Sequence, residues 1–155
     1  MKKVLYIDMD GVLADFDSGL ARVPEDTRSE YEWPEDIPGV FALMDPMDGA
    51  LDAYHKLAEL FDTYVLSTAP WNNPSAWSDK LQWVQKHLGV VAEKRLILTH
   101  HKNLNKGDYL VDDRLRHGTD LFEGEHIHFG TPEFPDWPAV VAYLKQHGPD
   151  PEPRP

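Results

Sequence analysis

Two short acidic clusters in the sequence could hold a metal ion and act on a substrate. Asp8 and Asp10 directly follow one short apolar run, and Asp112 and Asp113 directly follow another. Carboxylates that converge without a cation repel one another and raise each other's pKa. A hard cation removes that cost, and Mg²⁺, which is bound by carboxylates together with a substrate phosphate, fits this pattern. The clusters therefore predict a Mg²⁺ site if the fold brings them together.

A calcium-binding loop is the alternative reading of the first cluster, because that loop also begins Asp-x-Asp. It needs a third ligand at its fifth position, Gly at its sixth and Glu at its twelfth. Counted from Asp8, those positions hold Val12, Leu13 and Gly19, which excludes the loop. An acidic turn explains either cluster alone. Two clusters that each follow an apolar strand favour a site.

The elements that must position these carboxylates are short apolar strands that alternate with amphipathic helices. Strands are predicted at residues 3–7, 63–67, 95–99, 109–111 and 126–129. Helices are predicted at residues 49–61, 75–88 and 138–147. Because the strands are nearly continuous apolar runs, we expect a parallel sheet that is covered on both faces. Both acidic clusters then emerge at the carboxyl edge of that sheet.

More polar residues are predicted at the same edge. Ser67, Thr68 and Ala69 follow the second strand, where a hydroxyl and backbone N–H groups can hold phosphate oxygens. Lys102 or Lys106, after the third strand, could balance the charge of a phosphoryl group. The set predicts a site for a phosphorylated ligand.

Composition limits the possible partners. The length of 155 residues fits one domain, at residues 1–148, followed by a proline-rich tail at 149–155. A formal net charge of -12 would repel nucleic-acid polymers and anionic membranes. The sequence has no cysteine, so disulfides and zinc–thiolate sites are excluded. It also has no apolar signal segment and no long apolar span, and we expect a cytoplasmic protein.

One segment interrupts the alternation of strands and helices. Residues from about 17 to 45 are polar and punctuated by proline. Long loops inside compact domains are usually functional, and open α/β sheets bind ligands at their carboxyl edge. We therefore interpret this segment as a small insert over that edge. Trp71, which follows the second strand closely, could line the mouth of the site.

In their order along the chain, these motifs resemble those of the haloacid dehalogenase superfamily. The first motif is Asp8-Met9-Asp10-Gly11-Val12, the second ends in Thr68, the third is Lys102, and the fourth is Asp112-Asp113. The stretches "DMDGVLADF", "STAP", "LTHHK" and "DDR" look like those of the 5'(3')-deoxyribonucleotidases within it. The resemblance covers about residues 4–114 and favours Lys102 over Lys106.

The resemblance implies a fold and a reaction. The fold is a Rossmann-like three-layer α/β domain with a five-stranded parallel sheet, order 5-4-1-2-3, and a short cap insert after strand 1. Asp8 would attack phosphorus and become an aspartyl phosphate, while Asp10 would protonate the leaving alkoxide and later deprotonate water. Mg²⁺ would be bound by Asp8, the Asp10 carbonyl and Asp113, with Asp112 either a direct ligand or behind the ligands. Thr68, Ala69 and Lys102 would bind the phosphoryl oxygens.

The resemblance also implies a substrate, a deoxynucleoside monophosphate. Phe16 and Phe41 match aromatic residues that stack on the nucleobase. Arg114 completes the "DDR" motif, either as a substrate contact or as a solvated or ion-paired arginine. The insert is much shorter than the usual cap of the family. We predict a Mg²⁺-dependent phosphatase for small phosphomonoesters, and among these enzymes we favour a nucleotidase. Another substrate, such as a sugar phosphate, and a non-catalytic Mg²⁺- or nucleotide-binding module stay open, as does a homodimer that closes the site.

Overall fold

The computed structural model describes residues 1–149, so the predicted tail lies outside the described residues except for Pro149. The strands are β1 (Val4–Ile7), β2 (Ala14–Asp15), β3 (Asp45–Pro46), β4 (Asp62–Ser67), β5 (Leu96–Leu98), β6 (Tyr109–Asp112) and β7 (Glu125–His128). The α-helices are α1 (Phe16–Ala21), α2 (Glu25–Ser29), α3 (Ala50–Leu60), α4 (Pro74–His87) and α5 (Trp137–His147). The predicted strands and helices are confirmed, because each matches an observed element to within one residue at either end.

The large sheet has five parallel strands in the order β5-β4-β1-β6-β7. These labels differ from the predicted order because β2 and β3, which the sequence analysis did not anticipate, are counted between β1 and β4. Without that short antiparallel pair, the strands of the large sheet run 3-2-1-4-5, which reads 5-4-1-2-3 from the other edge. β1 is therefore central, with β4 on one side and β6 on the other.

One face of the sheet carries the main hydrophobic core. Side chains from alternate positions of β1, β4 and β6, such as Leu5, Val65 and Val111, share one buried cluster with residues of α3, α4 and α5. In α3 the buried residues recur at helical spacing, at Ala50, Ala53, Tyr54 and Leu57. α5 begins at a cap in which the Asp136 side chain accepts a hydrogen bond from Ala139 N at 3.1 Å.

On the opposite face of the sheet, the described residues do not form the helical layer that was predicted. This face has a small cluster of Tyr6, Leu66 and Leu110, against which Phe122 packs. The connections after β5 and β6 contain only the 3₁₀ turns Lys102–Leu104 and Thr119–Leu121, so this face has no α-helix within residues 1–149. These connections have no more than the minimum length of a crossover that contains a helix. The α/β class and the parallel sheet agree with the prediction, but the helices cover one face only.

The segment that the sequence analysis interpreted as an insert lies between β2 and β3. It contains α1, α2 and the 3₁₀ turns Pro34–Asp36 and Val40–Leu43. The indole of Trp83 in α4 donates to Met44 O at 2.9 Å, and Asn73 Nδ2 donates to Glu35 O and Ile37 O at 2.9 and 3.0 Å. The insert is thus held against the segment that follows β4. None of the helices in the described residues is long and apolar enough to cross a bilayer.

Candidate active site

The two acidic clusters meet because β1 and β6 are neighbours in the sheet. Asp8 follows the last residue of β1, Asp112 is the last residue of β6, and Asp8 N donates to Val111 O at 2.8 Å. One carboxylate oxygen each of Asp8, Asp112 and Asp113 lie within 4.8 Å of one another. These oxygens are hard donors, and together they could hold a divalent cation.

Lys102 lies between the two acidic clusters. Its Nζ donates to Asp8 Oδ1 at 3.0 Å and also to Asp112 Oδ2. Burial opposes charge on Lys102, but the two carboxylates more than offset this effect and raise the pKa of the lysine. Its backbone is fixed as well, because Lys102 N donates to His117 O at 2.7 Å. Lys106 is exposed, so the structure brings Lys102 into the cluster and leaves Lys106 at the surface.

The position of the Asp113 carboxylate requires a glycine at position 11, in the first motif. The carboxylate packs so closely on Gly11 that a Cβ atom at that position would lie 2.4 Å from Asp113 Oδ2. Gly11 also has a φ of +77°, which favours glycine. Burial, followed by the negative charge of Asp8, raises the pKa of Asp113 to about 7. Asp113 Oδ1 is buried without a hydrogen-bond partner among the described residues, so this oxygen could serve as a ligand of a cation.

Lys80 is a member of the site that the sequence analysis missed. It lies in α4, and its Nζ donates to Asp10 Oδ2 at 2.7 Å, to Ser67 Oγ at 2.8 Å and to Thr68 O at 2.7 Å. Burial raises the pKa of Asp10, and Lys80 acts in the opposite direction. Its signal in the sequence was weak but present: Lys80 lies one turn before Trp83 and Val84, on the buried side of a helix where lysine is unusual.

The predicted phosphate-binding residues lie beside Asp10. Ala69 is fully buried, and Thr68 is half-buried with its hydroxyl donating to Thr99 O at 2.7 Å. The predicted hydroxyl therefore lies at the carboxyl edge, although its proton is directed at the protein in this structure. Arg114 is exposed and forms no ion pair with a described residue, while its backbone N donates to Asp112 Oδ1 at 3.0 Å.

The two predicted base contacts differ in exposure. Phe16 is half-buried, whereas Phe41 is only 1% exposed. The ring centroids are 5.4 Å apart, and Lys80 Nζ lies 4.7 Å from the centroid of Phe41. The prediction that Phe41 stacks on a nucleobase is therefore not supported, because Phe16 and Lys80 cover its ring. The position was predicted from the motif alone, and the motif does not report that Lys80 packs on it.

Trp71 is the exposed aromatic residue closest in sequence to the phosphate-binding stretch. Its side chain is 81% exposed, and its ring meets His100 edge-on at 6.2 Å between centroids. His100 also contacts Trp77 at 6.2 Å and His117 at 5.7 Å. Trp71 therefore contacts one neighbouring ring and leaves most of its indole exposed, where a ligand could contact it.

Comparison with known proteins places the chain in a family. The family model described as "5' nucleotidase, deoxy (Pyrimidine), cytosolic type C protein" matches residues 2–135. A Vibrio phage KVP40 protein that is provisionally named 5'(3')-deoxyribonucleotidase is 56% identical over 92% of this chain and 85% of its own length. The human cytosolic 5'(3')-deoxyribonucleotidase is 34% identical over 81% of this chain and 78% of its own length.

A solved structure shows the same fold. The HAD-hydrolase YfnB from Bacillus subtilis, crystallised with magnesium, superposes with a TM-score of 0.67 at 12% identity. The match covers 92% of this chain and 98% of that one. The fold is therefore that of the haloacid dehalogenase superfamily, and the chain belongs to the cytosolic type C family of deoxy (pyrimidine) 5'-nucleotidases.

Proposed function

We propose that the protein is a Mg²⁺-dependent 5'(3')-deoxyribonucleotidase that hydrolyses deoxynucleoside monophosphates through an aspartyl phosphate on Asp8. Membership of a nucleotidase family makes the chain a phosphoric monoester hydrolase, and the relatives that carry the deoxyribonucleotidase name support the substrate class. The observation that carries the chemistry is the convergence of the Asp8, Asp112 and Asp113 carboxylates, with Lys102 bonded to the first two.

The charge of the site supports a divalent cation. Four carboxylates, those of Asp8, Asp10, Asp112 and Asp113, face two buried ammonium groups, those of Lys80 and Lys102, which leaves two negative charges when all are ionised. The unpartnered Asp113 Oδ1 is suited to bind the cation. Asp8, Asp113, the Asp10 carbonyl and Asp112 would hold Mg²⁺. When bound, Mg²⁺ would neutralise the carboxylates and the phosphate oxygens.

Each residue of the site would have a separate role in the reaction. The Asp8 carboxylate attacks phosphorus, and the P–O bond to the leaving group breaks with its electron pair on that oxygen. Asp10 gives the leaving oxygen a proton and then takes a proton from the water that hydrolyses the aspartyl phosphate. Lys102, the Thr68 hydroxyl and the Ala69 N–H would hold the phosphoryl oxygens during both steps.

Recognition of the nucleoside is proposed for Phe16, Trp71 and Arg114. Phe16 is the half-buried aromatic residue at the start of α1, and Trp71 presents an open indole after the phosphate-binding stretch. Arg114 is exposed directly after Asp113 and is suited to a polar contact with the substrate. Since the insert is short, we expect a broad substrate range.

The proposal also covers the domain organisation, the oligomeric state and the cellular location. Residues 1–148 would form one domain in which the insert, at about 17–45, is a small cap. A homodimer could cover the carboxyl edge of the sheet, and analytical ultracentrifugation tests whether the protein forms one. The absence of cysteine and the net charge of -12 support a cytoplasmic location without a nucleic-acid or membrane partner.

A substrate panel with a trapping step tests the function. Thymidine and deoxyuridine monophosphates are compared with 2-deoxyribose 5-phosphate, glycerol phosphate and p-nitrophenyl phosphate, each with Mg²⁺ and with EDTA. We expect Mg²⁺-dependent hydrolysis with the nucleotides preferred, and borohydride reduction during turnover should convert Asp8 to homoserine. Equal rates for the sugar phosphate would favour the broader phosphatase, and hydrolysis of none of these esters would favour a binding module.

A further inference from the structure

The ammonium group of Lys80 has a complete set of partners. Three oxygens, Asp10 Oδ2, Ser67 Oγ and Thr68 O, lie 2.7–2.8 Å from its Nζ, so each of its three N–H bonds has an acceptor. The side chain has no exposed surface. A buried lysine is costly unless it is paired in this way, so the arrangement fixes the ammonium group in one place.

Lys80 lies on the protein side of Asp10, away from solvent. The Asp10 side chain is 32% exposed, whereas that of Lys80 is 0% exposed. Asp10 is therefore open to a ligand at the carboxyl edge of the sheet, and Lys80 can reach that ligand only through Asp10. The second carboxylate oxygen, Asp10 Oδ1, is buried and has no hydrogen-bond partner within residues 1–149. Lys80 is thus the side-chain contact that sets the orientation of the Asp10 carboxyl group.

Phe41 covers the remaining side of the ammonium group. Its ring centroid is 4.7 Å from Lys80 Nζ, a distance at which an aromatic face attracts a cation. Phe41 belongs to the insert, and α4 packs against the 3₁₀ turn that contains it. Lys80 therefore joins the insert to the residue that is proposed to transfer the proton.

We propose that Lys80 is a positioning residue that holds Asp10 for proton transfer to the leaving group. The proposal rests on the proposed function, in which Asp10 gives its proton to the leaving oxygen as that oxygen takes the electron pair of the broken P–O bond. Lys80 keeps its own protons throughout. It holds the carboxyl group at the position of the leaving oxygen, and small displacements of a catalytic group reduce rates strongly.

The first test is Lys80→Met, with Lys86→Met as the matched control. Lys86 is an exposed lysine of the same helix. Lys80→Met should lower kcat by about 10- to 100-fold for thymidine monophosphate, whose alkoxide needs a proton, with KM nearly unchanged. The loss should be much smaller for p-nitrophenyl phosphate, whose leaving group is a weak base. In an Asp10→Asn background, Lys80→Met should cause almost no further loss, because the group that it positions is gone.

The second test restores the amine without changing the backbone. The chain has no cysteine, so Lys80→Cys carries a single thiol. Alkylation of the unfolded variant with 2-bromoethylamine, followed by refolding, places an ammonium group at nearly the length of lysine, and 1-bromopropane gives a neutral side chain of the same length. The first product should recover the nucleotide rate and the second should not. This pair also separates positioning from packing if Lys80→Met fails to fold.

The outcomes separate this inference from the proposed function. If the unmodified protein hydrolyses no phosphomonoester, the proposed function fails and the inference fails with it. If the unmodified protein is active and Asp10→Asn depends on the leaving group, two results overturn the inference alone. These are equal losses for both esters in Lys80→Met, and equal rates for the aminoethyl and propyl products.

Discussion

The Lys102 ammonium group lies 3.0 Å from Asp8 Oδ1, and this contact joins residues that are 94 positions apart in the chain. Burial raises the pKa of Asp8, and Lys102 acts in the opposite direction as the largest opposing influence. An ionised Asp8 is the form that can attack phosphorus. Lys102 therefore favours the ionised form of Asp8, the form that the proposed reaction requires, although burial still leaves the pKa of Asp8 raised. The predictions below concern this acidic cluster.

Asp8→Asn should lower turnover of every phosphomonoester by several orders of magnitude, because the covalent route is lost. The fold should be retained, since one of the converging negative charges is removed. Steady-state assays and a thermal melt measure the two effects, and Asp17→Asn, an exposed carboxylate after the same motif, is the control. Turnover near that of the unmodified protein would disprove the assignment of the nucleophile.

Gly11→Ala should weaken Mg²⁺ binding, because the new Cβ would lie 2.4 Å from Asp113 Oδ2 and displace that carboxylate. Gly130→Ala is the matched control: its φ of +85° imposes similar backbone strain, and no heavy atom lies within 4 Å of its Cβ position. Isothermal titration with Mg²⁺ should show a loss of affinity in Gly11→Ala only. A similar affinity in both variants would mean that Asp113 does not hold the metal.

The stability of the metal-free protein should fall as the pH rises. The pKa of Asp113 is raised from 3.8 to about 7 in the folded state, chiefly by burial. The folded state therefore retains this proton more strongly than the unfolded chain, so the contribution of Asp113 is present at low pH and is lost as the pH rises through about 7.

Mg²⁺ takes the place of protons at the carboxylates, so its stabilising effect should be larger at pH 8 than at pH 5.5. Thermal melts with EDTA and with Mg²⁺ at both pH values measure this difference. In Asp113→Asn the pH dependence should be weaker, because the titrating group is gone. An equal gain from Mg²⁺ at the two pH values would argue against the site.

Trp71→Ala should reduce the preference for nucleotides over 2-deoxyribose 5-phosphate, which is the same sugar phosphate without a base. Stacking on an aromatic side chain contributes roughly 1–3 kcal/mol per base, so KM for thymidine monophosphate should rise by about ten-fold or more. KM for the sugar phosphate should stay the same, and Trp71→Phe should retain most of the preference. If Trp33→Ala, which removes an exposed indole of the insert, abolishes the preference instead, the base lies against the insert.

The sequence was sufficient to predict the convergence of the acidic residues, because there the local apolar pattern and the geometry of a parallel sheet agree. Asp8 and Asp112 follow apolar runs, and neighbouring parallel strands then bring them to one edge. Lys80 could not be found in this way, because its burial depends on how α4 packs against Phe41 and the end of β4. The burial of Phe41, which was predicted to contact a nucleobase, could not be found for the same reason. A third layer was predicted, but within residues 1–149 no α-helix forms it. Strand patterns do not report whether the connection between two strands contains a helix.

Helices cover one face of the sheet, and short connections cover the other. We therefore expect the residues of the site to lie in regions of different local stability. β1, which leads to Asp8, is central in the sheet and packs on the helical core, so its amides should exchange with solvent only on near-global unfolding. Lys102 and Asp113 lie at the start of the connections that cross the thinly covered face. Those connections can open at lower free energy, with the rest of the molecule folded. If Lys102 and Asp113 bind substrate and metal as proposed, part of the free energy of binding would be used to hold these connections closed.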